Sequence, residues 1–526
     1  MDTATIPAPL KDQLRQILGE AGYSEDVALR RLMSQDIWAA GVTADFVIAP
    51  DTVDALQAAV RACHGAGVAL HPRGGGMSYT SSFTPDRAGT GILDLSRLNR
   101  IVEINAASMY VTAEAGVTWK QLYDALKPLG LRTPFWGPLS GLSSTVGGGV
   151  SQNNAFFGAG TYGTTGDSVM GLTIILADGT RVRTGTGATR VGKPFWRSYG
   201  PDLTGLFCGD SGAMGIKAEV SFRLVPWPEH EDWASFEFSS RDGCAEAMAA
   251  VARENIACEV FGFDPALTRV RLKRASLAAD TKTLANVMKA QGSLLKGLQE
   301  GAKVALAGRN FMEAESWSLH VIVEGRSKAG VAEDMKRLKT ICERHGGKET
   351  ENSIPKIIRA NPFTAPNTIL GPEGERWVPV HGIVAMEDGP KMWAALDAYF
   401  ASITDEMARH RIEHGYLVTT LSTTGYLIEP VFLWPEELLE IHEEFVEPAH
   451  LKKLKRHASN PEATEAVKRA RRGVIDLFDS FGAAHFQIGR SYPYADILDT
   501  ASLDLLKSIK ALLDPNATIN PGALGL

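Results

Sequence analysis

The chain has 526 residues, 44% of them hydrophobic and 22% charged, a composition of globular rather than disordered proteins. Its formal net charge of −7 argues against a nucleic-acid surface, and its length exceeds one ordinary core, so two domains are the prior. No apolar run approaches the roughly 20 residues of a membrane span, no signal-peptide pattern opens the chain, and five scattered cysteines without a CxxC pair indicate neither zinc nor a disulfide framework; a cytoplasmic protein engaging neither membrane nor nucleic acid is the expectation.

In chain order, residues 1–40 read as polar helix with Leu10, Leu14, Ile17 and Leu18 at helical spacing. A short strand over 44–49 precedes a helix over 50–64 with Asp51 or Thr52 as its cap. A strand over 67–71 then runs into His71-Pro-Arg-Gly-Gly-Gly-Met-Ser-Tyr-Thr80. Apolar strands over 171–176 and 216–225 flank an Asp178-Gly179 turn. Beyond 228, strands over 233–238 and 317–324 alternate with helices over 239–257 and 328–345, the pattern of an antiparallel sheet covered on one side. The tract 275–304, rich in Lys, Ala, Leu and Gly, reads as helical and as either a flap or an oligomer contact, and from about 451 the chain is helical again. The basic runs Lys452–Arg456 and 468–472 read as solvated helix faces.

The first glycine triplet has a partner in Ser143-Ser-Thr-Val-Gly-Gly-Gly-Val-Ser-Gln-Asn153. Glycine allows positive φ and close approach of amides to a ligand, and successive amides form an anion-binding concavity. One triplet is explained by a tight turn; two suggest a diphosphate held from both sides.

Between and after the triplets stand Gly91-Ile-Leu-Asp-Leu-Ser-Arg-Leu-Asn99, Val111-Thr-Ala-Glu-Ala-Gly-Val-Thr118, Tyr162-Gly-Thr-Thr-Gly-Asp-Ser168 and Pro201-Asp-Leu-Thr-Gly-Leu-Phe-Cys-Gly-Asp-Ser-Gly-Ala-Met-Gly-Ile216. In this order, over roughly 42–227, the series resembles the FAD-binding domain of the vanillyl-alcohol oxidase and p-cresol methylhydroxylase superfamily. The resemblance implies an α+β, two-domain FAD flavoprotein: an FAD-binding domain of two α+β subdomains over 1–227, a cap or substrate domain with a large antiparallel sheet over 228–450, and a helical segment over 451–526 whose tail returns to the first domain. It implies FAD contacts at Arg73, Gly74, Gly75, Gly76, Met77, Ser78, Ser144, Thr145, Gly148, Gly149, Gln152, Ile216 and Asn520. Met77 stands where many relatives carry the flavin-linked histidine and cannot form that bond. The stretch Arg376-Trp-Val-Pro-Val-His-Gly382 resembles the segment that carries the linked histidine of vanillyl-alcohol oxidase, so His381 is the candidate for covalent attachment, against a cavity-lining histidine without a bond.

For chemistry, Ala484-His-Phe-Gln-Ile-Gly-Arg-Ser-Tyr-Pro-Tyr494 supplies His485 as a base and Arg490 and Tyr492 as groups that fix a substrate oxygen or carboxylate. Ser151 or Gln152 takes the place where phenol-oxidising relatives set an aspartate near the flavin. The metal-binding His-x-Gly-Asp-Gly-Asn-x-His pattern of the 2-hydroxy-acid branch is absent, and no metal is expected. The function so implied is hydride removal from a small, phenolic or aromatic alcohol, with oxygen or an electron-carrier protein as acceptor. The alternatives are a 2-hydroxy-acid (D-lactate- or glycolate-like) dehydrogenase, a non-redox flavoenzyme of the alkylglycerone-phosphate synthase kind, and a flavin-binding protein without turnover. A homodimer is a further expectation.

Overall fold

The computed structural model describes residues 6–270 and 316–526, so the tract 275–304 lies outside the described residues. The helix Ala8–Leu18 buries Leu10 and Leu14 but stops at Gly19. The continuous helix expected over 1–40 is therefore broken. A second helix, Val27–Met33, starts from Asp26, whose carboxylate accepts the Leu29 amide at 2.8 Å.

Two small sheets follow. The first comprises β1 (Tyr23–Ser24), β2 (Phe46–Ile48), β3 (Ala69–Arg73) and β4 (Thr90–Asp94) in the order β1-β2-β4-β3, with β2 and β3 parallel to β4. The helix Val53–Gly65 makes the crossover between β2 and β3, as parallel strands require. Thr52 caps it by accepting the Ala55 amide at 3.2 Å, and Leu56, Ala59, Val60 and Cys63 face the sheet.

The second sheet is antiparallel: β5 (Ile101–Asn105), β6 (Tyr110–Glu114), β8 (Val169–Ile175), β9 (Arg181–Arg183) and β10 (Ile216–Arg223), in the order β5-β6-β10-β8-β9. A two-residue strand, β7 (Leu131–Arg132), pairs instead with β11 (Val225–Pro226).

From His230 the chain builds one large antiparallel sheet from β12 (His230–Phe238), β13 (Glu259–Phe263), β14 (Trp317–Gly325), β15 (Lys348–Thr350), β16 (Arg376–Pro379), β17 (Gly382–Ala385), β18 (Glu413–Leu421) and β19 (Gly425–Trp434). Its order is β15-β12-β14-β13-β18-β19-β16, with β17 also on β19. One face packs on the helices Arg241–Glu254, Lys328–Arg344, Gly389–Ser402 and Pro461–Ser480. The opposite face sends Phe261, Phe263, Leu417 and Leu433 into the core of the second small sheet, which holds Trp119, Phe135 and Trp136. The expected α+β architecture is thus the observed one. Among the described residues no helix is long and apolar enough to cross a membrane.

The tail closes the first sheet. Leu70 donates to Thr518 O at 2.8 Å and accepts from the Asn520 amide at 2.9 Å. Beside this ladder the His71 ring, fully buried, shares a 3.1 Å bond through Nδ1 with Asn520 Oδ1. Burial lowers the His71 pKa from its ordinary 6.5 to about 4. The unfolded chain therefore takes up a proton below pH 6.5 that the folded chain refuses, so this contribution is intact above pH 6.5 and lost as pH falls towards 4. The loss amounts to about 3 kcal/mol once complete. We expect the melting temperature to fall between pH 7 and pH 4.5, and to fall less steeply in His71→Gln, whose amide can still donate to Asn520; equal slopes by calorimetry would refute the assignment.

Candidate functional site

Between the small sheets and the large one lies a cavity of about 470 Å³. Both glycine stretches reach it. The first follows β3 directly, and among the described residues the amides of Gly74, Gly75, Gly76, Met77 and Ser78 donate to no protein acceptor. Gly76, Met77 and Ser78 are buried and Gly74 and Gly75 half-buried; a buried amide rarely goes without a partner, so this row at a cavity wall suits a ligand rich in acceptors. The second stretch opens the helix Val146–Gln152, capped by Thr145 Oγ1 on the Gly148 amide at 3.2 Å.

The two stretches touch. A Cβ on Gly75 would lie 1.9 Å from the Ser143 carbonyl oxygen, and one on Gly74 would lie 2.4 Å from Thr145 Oγ1. Gly76 sits at φ +73°, and a Cβ there would meet the Arg73 guanidinium at 2.2 Å. Close approach and positive φ together explain why three glycines stand in a row.

The expected FAD contacts divide into two layers. Gly74, Gly75, Gly76, Met77, Ser78, Ser144, Thr145, Gly148, Gly149, Gln152 and Ile216 line the cavity. Arg73 does not: its buried guanidinium lies inside the turn of the first loop, 5.5 Å from the Phe83 ring, and supports the loop from behind. Asn520 also stands behind the wall. It donates to Ser82 O at 2.8 Å and Ser211 O at 2.7 Å, and so ties the tail to two loops that do line the cavity.

The catalytic expectations need more correction. Of His485, Arg490, Tyr492 and Ser151, only Ser151 lines the cavity. Phe486 forms the wall instead, with a stack of rings behind it. His381 lies 4.0 Å from Phe486, Tyr492 lies 5.3 Å from His381, and His485 lies 4.2 Å from Tyr492. Both His485 nitrogens are engaged, Nδ1 with the His381 carbonyl at 2.8 Å and Nε2 with Asp479 at 3.1 Å. No nitrogen is left to serve as a base towards the cavity. The Tyr492 hydroxyl accepts the His381 amide at 2.9 Å and shares a 3.1 Å bond with His381 Nδ1. Arg490 donates to Ser81 O, Ser82 O and Pro521 O at 2.7, 2.8 and 2.6 Å, and to Asn520 at 3.1 Å. It clamps the tail; it does not reach a substrate.

His381 is likewise a second-layer residue. Its ring lies outside the lining, and burial pushes its pKa well below the ordinary range, keeping it neutral. Its Nδ1 is engaged by Tyr492, while its buried Nε2 has no hydrogen-bond partner among the described residues.

Several lining residues escaped the sequence reading: Tyr79, Glu429, Gln487, Trp377 and the wall 357–369. The Tyr79 hydroxyl accepts from Gln487 Nε2 at 3.0 Å, its ring stands edge-on to Trp377 at 5.6 Å, and burial raises its pKa well above 10. Glu429 lies close enough that its charge adds to that rise. Both carried a signal. Tyr79 stands inside the first glycine stretch, and Glu429 is the single charge in the apolar strand β19, on the same face as Val431, which also lines the cavity. Lys217, the one lining cation among the described residues, is ion-paired with Asp210.

The residues present suit FAD: free amides for a diphosphate, an unpartnered Gln152 Oε1 facing the same space, and apolar walls at Leu95, Phe156 and Ile216 for flat rings. Comparison with known proteins agrees. Residues 44–185 match the family described as FAD binding domain. The chain is 31% identical over 252 residues to glycolate oxidase subunit GlcD of Bacillus subtilis (strain 168), covering 48% of this chain and 52% of that protein. It is 29% identical over 212 residues to D-lactate dehydrogenase [cytochrome] 1, mitochondrial, of Saccharomyces cerevisiae, covering 40% and 35%. The match thus spans about half or less of these relatives. Among solved structures, p-cresol methylhydroxylase with substrate bound aligns over 99% of this chain and 98% of its own at TM-score 0.74 and 18% identity. An alkyldihydroxyacetonephosphate synthase aligns over 99% and 87% at 0.68 and 14%. At such identities these two report the fold. Residues 44–185 thus form an FAD-binding domain, the fold of the whole chain is that of p-cresol methylhydroxylase, and the cofactor is FAD.

The contact between the loops gives a direct test. Gly75→Ala sets a methyl group against Ser143 O and should part the loops. We expect the flavin-to-protein absorbance ratio of the purified protein to drop at least tenfold while far-UV circular dichroism is unchanged; a wild-type ratio would show that the loops do not hold the cofactor.

Proposed function

We propose that this chain is an FAD-dependent oxidoreductase that removes hydride from a neutral, aromatic alcohol. The observation that carries this reading is the charge of the cavity. Among the described residues its lining offers a carboxylate, Glu429, and no cation beyond Lys217, which Asp210 occupies. A 2-hydroxy acid would bring its carboxylate to a wall where the described residues offer it no free cation, and burying an unpaired charge is costly. A neutral hydroxyl meets no such cost, and Phe156, Trp377, Phe486 and Ile369 suit a ring.

FAD, held by the glycine loops, would supply the acceptor for the hydride leaving the substrate carbon. Glu429 is the group suited to take the hydroxyl proton. Tyr79 accepts from Gln487, which leaves the tyrosine's own proton for the substrate oxygen, and the raised pKa keeps that proton in place. The apolar walls exclude water and strengthen both interactions.

The competing reading is oxidation of a 2-hydroxy acid, favoured by the names of two relatives, glycolate oxidase and D-lactate dehydrogenase. Anaerobic mixing of the FAD-loaded protein with 4-hydroxybenzyl alcohol, benzyl alcohol, D-lactate and glycolate separates the two. We expect the aromatic alcohols alone to bleach the flavin. Glu429→Gln should slow that reduction by roughly 10²–10⁴-fold, the usual worth of a general base, whereas His485→Gln should stay within about tenfold of wild type because that ring does not face the cavity. Bleaching by a 2-hydroxy acid, or a larger loss in His485→Gln than in Glu429→Gln, would reverse the assignment.

A further inference from the structure

Away from the cavity, a cluster of buried charges joins the two halves of the chain. Arg132 on β7 and Arg359 in the helix Ser353–Ala360 converge on Glu231 of β12, Glu259 of β13 and Glu324 of β14. Arg359 donates from Nε to Glu231 at 2.9 Å, from Nη1 to Glu259 at 3.4 Å and from Nη2 to Glu324. Arg132 grips Glu324 with both terminal nitrogens, Nη1 at 2.9 Å. The Arg359 guanidinium also lies 5.0 Å from the Trp136 ring and 5.5 Å from Trp227. Glu259 extends the network by accepting the Gly158 amide at 2.9 Å and the Cys258 thiol. Cys258, Glu259 and Glu324 sit close enough to hold a metal ion, but the two guanidiniums already occupy the carboxylates. Burial pushes the Glu259 carboxyl up, with the Arg359 charge opposing.

What makes the cluster informative is its place in the chain. Ile357 and Ile358 immediately before Arg359, and Asn361, Pro362, Thr364 and Ile369 after it, form the cavity wall opposite the glycine loops. The helix has no side-chain cap at its start. Among the described residues, the backbone bonds donated by Asn361, Asn367 and Ile369 return to Ile357, Ala365 and Pro366 within the same segment. Phe363 packs against Tyr123, Trp136 and Phe157, and Asn367 exchanges two hydrogen bonds with Glu447; the buried, ion-paired tie of this wall to the rest of the molecule is the Arg359 guanidinium. We propose that Arg359 is a positioning residue: from outside the cavity it fixes the 357–369 wall against the FAD-binding half, and so sets which ligands the cavity admits. The proposal rests on that cavity being the substrate site.

The test uses the FAD-loaded full chain with Arg359→Met and Glu231→Gln. Glu231 is 29% exposed at its side chain, so its variant removes one arm of the cluster and leaves the buried pairs. Hydrogen exchange is followed by mass spectrometry, and phenol binding is followed through its perturbation of the flavin's visible spectrum. We expect amides of 353–369 to exchange at least tenfold faster in Arg359→Met and by a smaller factor in Glu231→Gln, with β13, β14, β18 and the glycine loops at wild-type rates. The phenol Kd should rise roughly tenfold or more, since a wall displaced by about 1 Å has effects of that size. Unchanged exchange over 353–369 overturns the proposal. So does loosening spread evenly across the large sheet, which marks a purely structural cluster, and so does unchanged phenol affinity with a loosened wall. If Arg359→Met does not fold, Glu231→Gln decides on the same criteria. If phenol leaves the wild-type spectrum untouched, the proposed substrate class fails, while the exchange pattern still rules on Arg359.

Discussion

The contact on which the site depends is the one between the glycine loops. Gly75 and the Ser143 carbonyl approach so closely that no side chain fits between them. That contact fixes the distance between two rows of backbone that otherwise belong to different sheets, since the first loop leaves β3 and the second opens a helix beside β6 and β10. With the distance fixed, five amides are aimed at one space. None of the five has a protein acceptor among the described residues, so a ligand rich in acceptors can take all of them at once.

Much of the polar apparatus around the cavity serves to hold that contact. Arg490 spends four hydrogen bonds on carbonyls and an amide of loops and tail, and Asn520 ties Ser82 to Ser211. Arg73 fills the inside of the first turn. These are residue types that also bind substrates, and their number near a cavity invites a catalytic reading. The terminal nitrogens of Arg490 and the amide of Asn520 are already in use. The buried guanidinium cannot shed its charge, so it has to be given acceptors, and here the acceptors are the backbone of the site itself.

This explains which parts of the site were legible in the sequence. The loops were, because the need for glycine is a local property: no other residue tolerates that approach or the positive φ of Gly76. The fold was largely legible for the same reason, strand and helix periods being local patterns, and the long helix expected over 1–40 failed at a local breaker, Gly19. Which side of a strand or loop faces the cavity is different. His485 and Phe486 are neighbours, yet one is tied to Asp479 and the other is wall. Nothing within ten residues distinguishes them; the choice is made by β17, which pairs through Ile383 with Ala484 and turns the loop.

Glu429 shows the converse case. A carboxylate in the middle of a ten-residue apolar strand breaks the local rule that such a strand is uniformly buried among apolar partners. Departures of this kind persist where function requires them. The pairing of Leu417 with Glu429 on β18 and β19 puts the carboxylate on the face turned towards the FAD-binding half, beside Val431 and across from the helix that carries Arg359. One side of the cavity is thus rigid backbone fixed by glycine contact, and the other is a sheet face and a helical wall fixed by charge. The cofactor is read by the first; on the proposed function, discrimination among substrates falls to the second, where Glu429 and aromatic side chains suit a neutral ring.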